Sequence, residues 1–143
     1  MKMKGKSITE LHEGQTADFT KTITNAEILA FATLSGDYNP LHIDPSAAAE
    51  GVFGGIIAHG MLVAGLISTA IGTGLPGPGT IYLKQSLRFT KPVRSGDTIR
   101  ARVEVISLDP VKNRATLSTI CSNQRREVVL EGEAVVIPPK AVQ

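Results

Sequence analysis

Tryptophan is absent from this chain of 143 residues, cysteine occurs once, and the other aromatics are two tyrosines and four phenylalanines. The single cysteine, Cys121, can close no internal disulfide and excludes a cysteine-based zinc site. That usage suits a reducing compartment, and a cytoplasmic location is expected. An excess of charge of one sign is missing, with a formal net of only +2. Arg88, Lys91, Arg94, Arg100 and Arg102 are dispersed rather than interleaved with aromatics, so nucleic acid is not an expected partner, although an anionic small molecule is compatible with them. Long apolar runs are also missing. The longest, Met61 to Ala70, is interrupted by Ser68 and Thr69 and falls short of the ~20 residues that span a bilayer, so no membrane is expected. The opening MKMKGKSITE has positive charge without an apolar stretch behind it, which argues against export.

What remains is 42% apolar and 20% charged residues with no low-complexity tract, the profile of a globular domain. A chain of this size buries roughly two-thirds of its unfolded surface. We expect one domain over residues 1–143.

The front half carries helical signals. Thr24 with Glu27 three residues later forms a capping box, followed by an apolar stripe of Ile28, Phe31, Ala32 and Leu34 and a stop near Ser35-Gly36. Pro45 at a first helical position and Gly51 as a stop bound a shorter helix, with Asp44 as its N-cap. Residues 56–72, IIAHGMLVAGLISTAIG, are apolar on nearly every face, which predicts a helix of about four turns wrapped by other structure. The break GTGLPGPGT lacks the Gly-Lys-Ser/Thr of a phosphate-binding loop. From Thr80 the period becomes two. IYLKQSLRF, TIRARVEVISL, ATLSTICSN and EVVLEGEAVVI read as four strands joined by short turns, and residues 15–23 as an earlier one. Ile99, Ala101, Val103 and Val105 share one face, so an antiparallel sheet with one buried side is expected to curl around the long helix in an α+β arrangement. A second copy or the Thr24 helix must cover the side left open.

The chemistry concentrates in SGDYNPLHID, residues 35–44. Pro40 biases Asn39 away from helical torsions, so the stretch reads as a loop, and Asp and Asn side chains can hold it in a tight turn. Such a turn can aim the Asp37 carboxylate and the His42 imidazole at one volume, a general acid–base pair with water as nucleophile. The bland alternative is a turn whose polar groups satisfy only the backbone. A metal site built from Asp37, His42, Asp44 and His59 lacks recognised ligand spacing and is set aside. The second element is AHG at 58–60, at the head of the long helix. A helix N-terminus presents unpaired N–H groups, and Gly60 lets a developing oxyanion approach them, unless Gly60 only permits close packing and His59 is only a cap.

FATLSGDYNPLHID, the Ala-rich segment after it and GGIIAHGML closely resemble the hydratase motif of MaoC-like, (R)-specific enoyl-CoA hydratases, and FTKPVRSGDTI resembles that family's later strand block. The resemblance covers most of the chain and implies a hot-dog fold, an antiparallel β-sheet around a long central helix. It implies reversible syn addition of water to a trans-2-enoyl-CoA, without a cofactor, giving the (R)-3-hydroxyacyl-CoA. By position in the motif, Asp37 and His42 are the implied catalytic pair, Asn39 holds their loop, and the Gly60 N–H is the implied donor to the thioester oxygen. Ser68 falls where relatives carry a serine that supports the loop. Tyr38 reads as structural. The implied partner is an acyl-CoA thioester, and the implied assembly is a homodimer or higher homo-oligomer. The rivals are an acyl-CoA thioesterase on the same fold and a non-catalytic acyl-CoA-binding module.

Overall fold

A computed structural model of the chain describes residues 5–141. Strand β1 (Thr16–Thr22) leads into helix α1 (Asn25–Ser35), then two short helices, α2 (Pro40–Ile43) and α3 (Pro45–Ala49), and the central helix α4 (Gly60–Thr69). Strands β2 (Ile81–Gln85), β3 (Arg88–Phe89), β4 (Thr98–Asp109), β5 (Arg114–Ser122) and β6 (Val128–Ile137) complete the fold.

The capping signals act as read. The Thr24 hydroxyl accepts from the Glu27 N–H while the Glu27 carboxylate accepts from the Thr24 N–H, and Gly36 ends α1 in the left-handed region at φ 82°. Such an N-cap is worth about 1 kcal/mol. Asp44 caps α3, accepting from the N–H groups of Ser46 and Ala47.

All pairings are antiparallel, in the order β1-β4-β5-β6-β2, with β3 also on β6. Ile99, Ala101, Val103 and Val105 are wholly buried, as their alternation requires, and β5 adds Ala115, Leu117 and Cys121 to the same core. Helix α4 packs across β1, β4 and β5 through Val63, Leu66 and Ile67. Each fully buried aliphatic side chain of this kind contributes roughly 1.5–3 kcal/mol.

Three expectations are corrected. The long helix begins at Gly60 rather than residue 56, because residues 57 and 58 bond in extended form to Leu41 and Val93, and it ends in a π-helical turn over Ala70–Gly74. One side is left open within one chain, as expected, with Met61, Gly65 and Ser68 exposed. IYLKQSLRF is two strands, not one: the Ser86 carbonyl presses so closely on Gly132 of β6 that a Cβ there would sit 1.8 Å from it. Finally, β2 and β3 pair with β6 rather than with their sequence neighbour β4, so the four strands are not a simple meander.

Candidate active site

SGDYNPLHID is not wholly a loop. Pro40 is the first residue of α2, where its missing N–H is no loss, and Asn39 is the N-cap, its side chain accepting from the Leu41 N–H. His42 therefore sits on a short rigid turn of helix, its N–H donating to the Asn39 carbonyl at 2.9 Å. Asp37 stays in the irregular segment between α1 and α2. Its Oδ1 accepts from the Asn39 N–H (3.2 Å), and its own N–H donates to Ser35 Oγ (3.2 Å), whose hydroxyl donates back to the Phe31 carbonyl (2.6 Å). Tyr38 donates from its hydroxyl to Thr33 Oγ1, a structural role.

The His42 ring is oriented by the backbone. Its Nδ1 lies 2.7 Å from the Ile57 carbonyl oxygen, which can only accept, so Nδ1 carries the hydrogen and Nε2 is the nitrogen free to exchange a proton. Asp37, His42 and His59 each offer one polar atom within 4.8 Å of the others. Asp44 is not among them, being occupied by its capping bonds. One nitrogen of each histidine serves a peptide carbonyl, so backbone hydrogen bonds organise this cluster.

Asp37, His42 and Gly60 all line a cavity of about 410 Å³. In α4 the first helical bonds run from the Leu62 and Val63 N–H groups to the His59 carbonyl, so the N–H groups of Gly60 and Met61 are left at the helix end. Phe89 of β3 lies over Gly60 so closely that a Cβ on residue 60 would meet its ring at 2.5 Å. The opposite walls are apolar: Phe53, Ile57, Val129 and Leu130, with Lys91 to Val93 between. A dry wall strengthens each polar interaction made inside it. Lys91 is ion-paired to Glu127, and that pairing, followed by Arg125 and Asn123, holds the Glu127 carboxyl down at about 2.

Ser68 lies apart from this cavity. It is exposed on α4, and no hydrogen bond among the described residues links it to the Asp37 loop. The α4 end reaches the loop instead through His59, which the sequence presented as a cap; its side chain makes no capping bond. Helix α1 does not line the cavity, whereas Phe89, Val129 and Leu130, far away in sequence, do.

Residues 9–124 match the MaoC like domain. The chain belongs to the MaoC-like domain family. Among MaoC-like relatives, an (R)-specific enoyl-CoA hydratase of Rhodospirillum rubrum is 50% identical over 130 residues, covering 91% of this chain and 90% of that protein. One of Aeromonas caviae is 48% identical over 133 residues, covering 93% and 99%. An R-hydratase of Pseudomonas aeruginosa, solved in its unliganded form, superposes with a TM-score of 0.90 at 46% identity, covering 96% of this chain and 88% of that one. The fold of this MaoC-like chain is the hot-dog fold, an antiparallel sheet with a helix packed against it. Among the described residues no helix is long and apolar enough to cross a membrane.

Proposed function

We propose that the protein adds water reversibly and syn to a trans-2-enoyl-CoA, giving the (R)-3-hydroxyacyl-CoA. The observation that carries this reading is the convergence of Asp37, His42 and the helix end at Gly60 on one cavity, in a chain half identical to an (R)-specific enoyl-CoA hydratase.

The β-carbon of an enoyl thioester is electrophilic only to the extent that its carbonyl is polarised. The Gly60 N–H supplies that polarisation, donating to the thioester oxygen as it gains enolate charge; one such donor is typically worth ~3–4 kcal/mol of barrier. A water between Asp37 and His42 gives its oxygen to the β-carbon. One member of the pair takes a proton from that water while the other releases a proton to the α-carbon, so the sum is one water added and the pair regenerated after a proton passes between its members. His42 acts through Nε2 in either direction, because Nδ1 is held by the Ile57 carbonyl. Because both groups sit on one wall of the cavity, both additions come from the same face, which is syn addition. Asn39 keeps the pair in place by capping α2 and bonding Asp37.

The same reading makes residues 1–143 one hydratase domain with an acyl-CoA thioester as its partner, in the cytoplasm, to which the lone, buried Cys121 is suited. It also makes the protein a homodimer. Strand β2 lies at the end of the sheet with Ile81 and Leu83 about half exposed, an edge that a second copy would extend and cover.

The assay follows enoyl absorbance and thiol release together. Enoyl loss without free thiol is expected; thiol released at the same rate would make the protein a thioesterase. Asp37→Asn should lower kcat by at least about 10²-fold with the fold intact; unchanged turnover in that variant would remove Asp37 from the catalytic pair, and a parent that binds but does not consume the enoyl-CoA would be only a binding module.

A further inference from the structure

His59 is 2% exposed and faces the cavity, yet the hydration chemistry does not use it. It occupies the N-cap position of α4 without making a capping bond. Among the described residues its buried Nδ1 has no hydrogen-bond partner, which is unfavourable, so an apolar residue would serve the core better. What the imidazole does make is a bond from Nε2 to the Asp37 carbonyl oxygen at 3.0 Å; since a carbonyl only accepts, Nε2 carries the hydrogen. Its ring stacks on His42, centroids 3.9 Å apart at 27°, and Phe31 tilts against it at 4.8 Å.

We propose that His59 is a positioning residue: through its Nε2–H it ties the Asp37 loop to the end of α4 that carries the Gly60 N–H. The other hydrogen bonds holding Asp37 run to Ser35 and Asn39, two residues away on either side, and they shape the loop without placing it. The His59 bond crosses 22 residues of chain. Gly60 is the next residue, so a single peptide unit relates the anchor of the acid–base pair to the oxyanion donor. The stack on His42 brings the second member of the pair to the same anchor. Water attack and enolate stabilisation must occur on one substrate at once, and this linkage sets their spacing.

The kinetic consequence rests on the hydratase reading; the geometry does not. His59→Gln retains an N–H near the position of Nε2 and loses the ring, whereas His59→Phe retains a ring and loses the donor. With a short trans-2-enoyl-CoA, His59→Phe is expected to lower kcat about 10²-fold, the effect of a small misplacement of catalytic groups, with KM little changed. His59→Gln should recover about tenfold of that loss, and both variants should melt within a few degrees of the parent. Full turnover by His59→Phe, equal losses in the two folded variants, a loss confined to KM, or failure of both to fold would each overturn the proposal. One arm needs no substrate: long-range ¹H–¹⁵N spectra of the full chain should place the His59 ring proton on Nε2, and a proton on Nδ1 alone overturns it. A protein that turns over no enoyl-CoA would sink the hydratase reading while this spectrum still decides the tie to Asp37.

Discussion

At position 60 a side chain would have to share space with the ring of Phe89, at 2.5 Å from one edge carbon and 2.9 Å from the next. Phe89 is about half exposed, so its ring can swing aside, and Gly60→Ala should cost no more than the ~1–3 kcal/mol of a modest overpacking. The cavity, however, would then hold a methyl group beside the N–H proposed to meet the thioester oxygen. We expect Gly60→Ala to fold and to lose about 10²-fold in kcat/KM, the scale of a misplaced reacting atom; steady-state kinetics beside a thermal melt checks both halves. Asp37, Asn39 and His42 were legible in the sequence because they fall within six positions, and Gly60 because the short AHG stretch heads an apolar helix. His59 was not, because a histidine before a helix resembles a cap, and the contacts that distinguish it come from residues 17 to 28 positions away. Ser68 was read from resemblance alone, and no local signal bore on where its hydroxyl would point.

Elements were legible wherever their ends are made by neighbours. The Thr24–Glu27 box, Gly36 and Asp44 bound α1 and α3 because a cap is a contact over two to four residues. Helix α2 was missed because Pro40 was weighed for what it does to Asn39 and not for its own fitness as a first helical residue. The turn between β5 and β6 offers a test at this scale. Glu127 there accepts from Arg125 and Asn123 and pairs with Lys91, which joins the turn to the segment that walls the cavity. Lys91, Arg125 and Asn123 push its carboxyl down from the ordinary 4.5 to about 2. Its stabilising contribution is therefore complete above about 4.5 and is lost as pH falls from there through about 2. Glu127→Gln should melt below the parent at pH 7, and the gap should close between those two values; a gap that persists at pH 2 would show that the charge is not its source. The exposure of these groups keeps the effect small and sensitive to salt.

For the whole molecule, the exposed face of α4 and the β2 edge raise the same question, namely what covers them. The dimer reading predicts sedimentation at twice the chain mass, and Ile81→Glu with Leu83→Glu should shift the protein to monomer, with hydration falling alongside if the second copy completes the cavity. A parent that sediments as a monomer would end that reading. By itself the sequence determined where α1 and α3 are capped, that the back half is strand, which face of β4 is buried and which short motif brings Asp37 and His42 together. Each of these depends on periodicity or on contacts within a few residues. Only the tertiary structure decided that β2 and β3 pair with β6, that Phe89 and Leu130 wall the cavity, and that His59 ties the Asp37 loop to the helix end beside Gly60. Those relations arise from the way the sheet curls over α4 and join residues tens of positions apart, a distance over which residue spacing carries no geometric information.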